Sequence, residues 1–204
     1  MSKHQDNRFL PYTLEKRHQG RYLLVLGLAR SGTSFLSSLL GGHPEINMLS
    51  ESYDSAITRS IGSKYAGNKL CAHQIRYDSF SPVPERLVAN GRPKTVSKLL
   101  FTDYVDLGAK IIIIMRDTMD VRRSMITRAG ATPALADRVI ADGLKFLAHV
   151  NTYHKTIVVP YESLCEFKEV TLGWVCEYLE IEYSDKMLDG EKWNWVYSGE
   201  RDNV

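Results

Sequence analysis

Residues 22–34, Tyr-Leu-Leu-Val-Leu-Gly-Leu-Ala-Arg-Ser-Gly-Thr-Ser, join an apolar run to a loop bounded by two glycines. The run from Tyr22 to Leu26 is continuous, which is typical of a strand buried on both faces of a parallel sheet. From Gly27 the chain reads Gly-x-x-x-x-Gly-Thr-Ser, and residues 35–40 then keep helical spacing. A strand, a tight loop and a helix in this order favour a phosphate-binding loop.

The loop carries the groups that bind an anion. Gly27 and Gly32 let the backbone curl so that its N–H groups point inward. The helix that follows adds its first N–H groups and the positive end of its dipole. A cation and three hydroxyl groups belong to the same stretch, at Arg30, Ser31, Thr33 and Ser34.

The residue after the second glycine separates two kinds of nucleotide chemistry. A loop that binds Mg-ATP has Lys there to reach the terminal phosphates, followed by Ser or Thr for Mg²⁺. Thr33 stands in place of that Lys, and the nearest cation is Arg30, inside the loop. The sequence therefore predicts an anionic phosphate ligand and argues against Mg-ATP chemistry.

The composition is that of an ordinary globular protein. The chain has 204 residues, of which 44% are hydrophobic and 25% charged, and a net charge of +2. These values predict one domain over residues 1–204, with a flexible polar arm at residues 1–20. The small net charge gives no reason to expect nucleic acid or a membrane as a partner.

Cysteine usage and hydropathy predict the compartment. The cysteines have no metal-ligand spacing, so we expect buried thiols in a reducing compartment and no metal site; they are Cys71, Cys165 and Cys176. The sequence has neither a signal-peptide core nor an apolar run of bilayer length. We expect a cytoplasmic protein, or a membrane-anchored one from which the anchor has been removed.

Alternating strands and helices surround the loop. Apolar and β-branched runs predict strands at residues 22–26, 69–75, 109–115 and 156–159. Spacing and start signals predict helices at residues 33–40, 52–61, 96–107, 119–128, 133–153 and 166–179. A turn is predicted at residues 43–47 and a surface excursion at residues 78–93. The pattern predicts an α/β fold, a three-layer α/β/α sandwich with a mostly parallel sheet.

A second candidate anion site follows the isoleucine-rich strand. Parallel sheets bind ligands at the carboxyl ends of their strands, and Arg116 comes directly after residues 109–115. An arginine there can hold a phosphate with its bidentate fork. Ser124, two turns into the next helix, can point to the same side.

Both stretches resemble a known family. Arg-Ser-Gly-Thr-Ser after an apolar strand resembles the 5′-phosphosulfate loop of sulfotransferases that use 3′-phosphoadenosine 5′-phosphosulfate (PAPS). Arg-Asp-x-x-Asp-Val-x-x-Ser after the second strand resembles the family's 3′-phosphate site. The resemblance covers roughly residues 20–180 through a few short motifs. It implies a P-loop-NTPase-like fold, PAPS as the cofactor and 3′,5′-ADP as its product.

The resemblance implies roles for single residues. Arg116 and Ser124 would hold the 3′-phosphate, and Arg128 matches a further basic position of the tyrosylprotein-type branch. Tyr161, in a Tyr-Glu-x-Leu stretch, would lie near the nucleotide. The 5′-phosphosulfate would be held by Arg30, Ser31, Gly32, Thr33 and Ser34.

Sulfuryl transfer also needs a general base. In the carbohydrate and tyrosylprotein branches of the family, a catalytic Glu follows a His-Pro turn. Glu51 occupies a similar place after His43-Pro44, and is the expected base. His73 is the rival, because the phenol- and steroid-type enzymes use a histidine on a comparable strand.

Positive charge must stabilise the leaving group. Lys69, in Gly-Asn-Lys, resembles a lysine of the group that carries the catalytic Glu, and Lys98 is the alternative. Arg30 would share this role. The end of the chain departs from the family pattern, because a late Gly-rich basic segment is replaced by Lys192 and Arg201 among tryptophans.

The sequence thus predicts a PAPS-dependent sulfotransferase that needs no metal. The acceptor would offer a hydroxyl or an amine, on a small molecule, a sugar or a peptide. A degenerate P-loop nucleotide kinase and an inactive 3′,5′-ADP-binding protein are the alternatives. The sequence leaves the oligomeric state open.

Overall fold

A computed structural model of the chain describes residues 21–51, 63–81, 88–89, 92–93 and 97–193. Its central sheet has five strands: β1 Arg21–Gly27, β2 Ile46–Ser50, β3 Tyr65–Cys71, β4 Lys110–Met115 and β5 Thr156–Pro160. Their order is β2-β3-β1-β4-β5, and every neighbouring pair is parallel. A separate antiparallel pair joins Val88–Ala89 to Arg92–Pro93.

Helices cover both faces of the sheet. They are α1 Thr33–Gly41, α2 Phe101–Asp106, α3 Thr118–Thr127, α4 Pro133–Tyr153, α5 Tyr161–Glu166 and α6 Lys168–Leu179. One core lies between the sheet and helices α2 and α4, and the other lies between the sheet and helices α1 and α6. The predicted α/β sandwich is therefore confirmed. Within the described residues, no helix combines the length and the apolar character needed to cross a bilayer.

Strand β1 shows why one apolar run serves two cores. Successive side chains of a strand point to opposite faces. Leu24 and Leu26 accordingly belong to the core beneath α4, and Leu23 and Val25 belong to the core beneath α1. All four are fully buried, so an unbroken apolar run is required at the centre of this sheet.

Several predicted elements need correction. Residues 46–50 form strand β2, where the sequence analysis placed part of a turn. Strand β3 begins at Tyr65 and ends at Cys71, so the predicted strand 69–75 is displaced, and Ala72–Gln74 form a 3₁₀ turn.

Two predicted helices also differ from the structure. The predicted helix 96–107 is reduced to α2, because the N–H of Ser97 donates to the carbonyl of Gln74 at 2.6 Å instead of entering a helix. The predicted helix 166–179 corresponds to α6, which begins at Lys168 and ends at Leu179, and the short helix α5 that precedes it was not predicted. The predicted helix 52–61 lies outside the described residues.

The predicted helix start signals at Asp117 and Thr132 are confirmed. The Asp117 carboxylate accepts from the N–H groups of Met119 and Asp120, at 2.9 and 3.1 Å, and caps α3. Thr132 caps α4, with Pro133 in its first turn. Capping of this kind satisfies N–H groups that have no partner inside the helix.

A charged cluster fastens α6 to the amino ends of two strands. The Glu180 carboxylate accepts from Arg21, the first residue of β1, at 2.7 Å, and from Lys110, the first residue of β4, at 2.9 Å. Hydrogen bonds from these two cations lower the pKa of Glu180 to about 2. The cluster lies at the amino ends of these strands, whereas the loop that follows Gly27 lies at the carboxyl end of β1.

Glu180→Gln is expected to lower the melting temperature at neutral pH and to have little effect near pH 2. The folded pKa of about 2 lies below the ordinary 4.5, so the carboxylate stabilises the fold above its unfolded pKa. That contribution is lost as the pH falls through the folded pKa. Thermal unfolding over this pH range measures it, with Glu177→Gln on the same helix as the control. A pH-independent difference would contradict the prediction.

Candidate functional site

The loop after β1 folds back on itself because position 27 has no side chain. A Cβ atom at Gly27 would lie 2.5 Å from Ser31 Oγ and 2.8 Å from the carbonyl oxygen of Ile114. The Ser31 hydroxyl is buried and donates to the carbonyl of Leu28 at 2.8 Å. This hydroxyl therefore shapes the loop from inside, where the sequence analysis expected a ligand donor.

Two further residues fix the conformation of the loop. Gly32 has φ +97°, and a Cβ atom there would collide with the ring of Tyr161. Arg30 has φ 69°, a left-handed conformation that a residue with a side chain seldom adopts. The Tyr161 ring thus packs directly on the loop.

The structure brings the two predicted anion sites into contact. Arg30 Nε donates to Ser124 Oγ at 2.9 Å, although the two residues are 94 positions apart. Arg116 Nη1 lies 3.4 Å from the carbonyl oxygen of Arg30, at the outer limit of a hydrogen bond. The loop cation and the cation after β4 therefore belong to one continuous site.

Arg116 is held on several sides, but its buried Nε is left without a hydrogen bond among the described residues. Its guanidinium carbon lies 4.6 Å from the centre of the Tyr161 ring, a cation–π contact. Its Nη2 lies 3.7 Å from Asp120 Oδ2, which is ion-pair range but too long for a hydrogen bond. Its Nε is buried and has no hydrogen-bond partner within the described part of the chain. A buried donor of this kind is costly unless a ligand accepts from it.

Glu51 and Lys69 form an ion pair at the ends of two neighbouring strands. Lys69 Nζ donates to Glu51 Oε1 at 2.9 Å. The lysine side chain is 2% exposed and the glutamate side chain 25% exposed. The backbone N–H of Glu51 also donates to the carbonyl of Lys69, at 2.9 Å, and Glu51 has φ 53°.

The position of Lys69 relates this pair to the loop. Side chains alternate along a strand, so Lys69 and Cys71 of β3 share one face. Cys71 Sγ lies 3.8 Å from Thr33 Oγ1, at the start of α1. The backbone of Lys69 therefore lies two residues of strand, or about 7 Å, before the residue whose thiol contacts the loop.

The rival residues differ from Glu51 and Lys69 in exposure. His73 lies in the 3₁₀ turn after β3 and is 6% exposed, so its ring offers little surface to an acceptor. Lys98 is exposed beside α2. The remaining predicted ligands lie at graded depth: Thr33 and Ser124 are buried, Ser34 is half-buried, and Arg128 is exposed one turn beyond Ser124.

Two carboxylates at the second anion site were not predicted from the sequence. Asp120 lies beside Arg116, and Glu162 Oε1 accepts from the N–H of Asp117 at 3.1 Å, which ties the start of α5 to the start of α3. The motif around residues 116–124 contains Asp120, yet its spacing alone does not say which cation it approaches. Among the described residues, no group of three His, Cys, Asp or Glu side chains could hold a metal ion.

Comparisons with known proteins find one family and several solved structures of similar fold. A family model described as "Sulfotransferase domain" matches residues 21–198. Among solved structures, the chain is similar to the sulfotransferase domain from the curacin biosynthetic pathway, with a TM-score of 0.60 and 12% identity, covering 84% of this chain and 77% of that one.

Two further solved structures are similar. For mouse sulfotransferase SULT7A1 complexed with PAP, the TM-score is 0.58 and the identity 15%, over 90% of this chain and 66% of that one. For the sulfotransferase domain from the Synechococcus PCC 7002 olefin synthase, the TM-score is 0.57 and the identity 14%, over 91% of this chain and 81% of that one. At these identities the similarity concerns the fold.

Gly32→Ala is expected to destabilise the protein more than Gly108→Ala. Both glycines have left-handed φ, +97° and +68°, so both substitutions carry a backbone cost of about 1–2 kcal/mol. At Gly32 the new methyl group also collides with Tyr161, which adds about 1–3 kcal/mol. A methyl group at Gly108 meets nothing within 4 Å. Denaturant unfolding measures both losses, and equal losses would argue against close packing of Tyr161 on the loop.

Proposed function

Because the chain belongs to the sulfotransferase domain family, we propose that it transfers a sulfuryl group from PAPS to a hydroxyl or an amine of an acceptor. One observation carries the proposal: the hydrogen bond between Arg30 and Ser124, with Arg116 beside it, joins the two predicted anion sites. PAPS bears a phosphate on its 3′ position and a phosphosulfate on its 5′ position. One continuous site with two cations suits such a nucleotide.

The residues present fit the 3′ end of this nucleotide. Arg116 offers a buried Nε without a partner among the described residues, and its ion pair with Asp120 is long. A phosphate could accept from this Nε and from the Ser124 hydroxyl. The Tyr161 ring keeps the guanidinium plane in place, so binding there costs little side-chain ordering.

The residues after β1 fit the 5′ end. The loop between Gly27 and Gly32 leads into α1, whose free N–H groups and dipole favour an anion. Arg30 supplies the positive charge of this loop, and Ser34 a half-buried hydroxyl. PAPS would supply an activated sulfuryl group here, and transfer of that group to the acceptor would leave the 5′-phosphate of 3′,5′-ADP on the loop.

Glu51 is the proposed general base. A carboxylate can accept a proton from an acceptor hydroxyl or amine, and Lys69 holds this one in place at 2.9 Å. A quarter of the Glu51 side chain remains exposed, which gives an acceptor a route to it.

Lys69 is the proposed electrostatic partner of the reaction. An ammonium group has three protons, and Glu51 accepts one of them. When Glu51 takes up a proton it loses its charge, and the buried ammonium group then lacks a counter-ion. Lys69 is thereby released to donate to another anion in the site at the stage when negative charge develops there.

Glu51→Gln is expected to lower turnover by about 10²–10⁴-fold, the usual contribution of a general base. Binding of 3′,5′-ADP should be retained or tightened, because Glu51 is not among the proposed nucleotide ligands and its neutral replacement frees Lys69 for an anion. Turnover with PAPS over a panel of hydroxyl and amine acceptors, and calorimetry with 3′,5′-ADP, measure the two effects. Glu45→Gln, an exposed change just before β2, is the control. Retained turnover would indicate that His73, and not Glu51, is the general base.

Arg116→Ala is expected to weaken 3′,5′-ADP binding by about 10- to 100-fold, as for loss of a charge-assisted hydrogen bond. Binding of 5′-AMP should change by less than about threefold, because it lacks the phosphate that Arg116 would hold. Calorimetry measures both, with Arg122→Ala, a residue paired to Asp137, as the control. Equal weakening of both nucleotides would contradict the assignment.

The same calorimetry and turnover measurements separate the two alternative functions. Tight binding of ATP that depends on Mg²⁺ would indicate a kinase. Tight 3′,5′-ADP binding without sulfuryl transfer to any acceptor would indicate an inactive nucleotide-binding protein.

A further inference from the structure

Asp120 places a negative charge beside the cation that the proposed function assigns to the 3′-phosphate. Its Oδ2 lies 3.7 Å from Arg116 Nη2, and its Oδ1 lies 3.2 Å from Arg123 Nη1. One carboxylate is thus shared between the half-buried Arg116 and the exposed Arg123, whose side chain is 74% exposed. A 3′-phosphate and Asp120 would compete for the same guanidinium group.

The distances favour exchange of the Asp120 carboxylate between Arg116 and Arg123 over a permanent ion pair with Arg116. The Arg116–Asp120 contact is longer than a hydrogen bond, whereas the contact of Asp120 with Arg123 falls at hydrogen-bond distance. Asp120 lies on the first turn of α3, and its backbone N–H is already fixed by the Asp117 carboxylate. Only its side chain needs to turn for the contact with Arg116 to be lost and the contact with Arg123 to be kept.

We infer that Asp120 sets the affinity of this site for 3′-phosphorylated nucleotides by acting as an internal competitor of the 3′-phosphate, with Arg123 as its alternative partner. This inference rests on the proposed function. The nucleotide before and after sulfuryl transfer carries the same 3′-phosphate. A competing carboxylate therefore weakens retention of the product, and it also keeps Arg116 oriented when no nucleotide is bound.

Asp120→Asn is expected to tighten 3′,5′-ADP binding by about two- to fivefold, which corresponds to loss of one partly exposed ionic competitor. Binding of 5′-AMP should stay unchanged. Asp137→Asn is the matched control, because it removes the same charge from a pair with Arg122 that does not include Arg116. Calorimetry gives the affinities, and thermal unfolding checks that each variant is folded.

A double-mutant cycle separates competition from simple attraction. Arg123→Gln should weaken 3′,5′-ADP binding, because Asp120 then has Arg116 as its remaining partner. In the Asp120→Asn background the same change should have no effect. A loss of equal size in both backgrounds would mean that Arg123 attracts the phosphate directly, and would overturn the inference.

The outcomes distinguish this inference from the proposed function. Weakened or unchanged 3′,5′-ADP binding in Asp120→Asn would show that the carboxylate only orients Arg116, and would overturn the inference alone. Failure of the unmodified protein to bind 3′,5′-ADP would overturn the proposed function, and the inference with it. Product inhibition by 3′,5′-ADP, which should strengthen in Asp120→Asn, gives an independent readout of the same competition.

Discussion

The candidate site depends on the close approach of three strand ends at Gly27. In the parallel sheet Gly27 pairs with Cys71 of β3 on one side and with Ile114 of β4 on the other. The backbone of the loop can fold against β4 only because no Cβ atom occupies the space beside the carbonyl of Ile114. This strand pairing determines which side chains can meet at the site. Glu51 and Lys69 come from the β2 and β3 side, Arg116 comes from the β4 side, and the loop lies between them.

Each cation of the site is held by a group from another part of the chain. Ser124 holds Arg30, the Tyr161 ring holds Arg116, and Glu51 holds Lys69. Such cross-links reduce the reorganisation that an anion would require, because each positive group is already held in place. They also limit repulsion, since Lys69 and Arg116 each keep a carboxylate nearby.

The sequence predicted the elements whose local signals agree with their surroundings. The isoleucine run of β4, the glycine loop and the Thr132-Pro133 helix start need no partner to be recognised. Strand β3 was displaced because Gly67, Asn68 and Lys69 are poor strand formers, and their places are set by distant contacts. Asn68 donates to Tyr104 at 2.9 Å, and Lys69 donates to Glu51. Strand β2 was missed because it is a short edge strand in which Ile46 is the one buried residue. The joining of Arg30 to Ser124 could not be predicted, because it arises from the order of the strands.

Two residues of the candidate site have positive φ angles. Within the described residues, three non-glycine residues have positive φ, namely Arg30, Glu51 and Glu180. Two of them are the loop cation and the carboxylate paired with Lys69. Glycine would relax both backbones, and residues in this conformation persist where their side chains are needed. Selection of variants for heat resistance should therefore enrich glycine or asparagine at position 30 but not at position 51, where the change would leave the buried Lys69 ammonium group without its carboxylate.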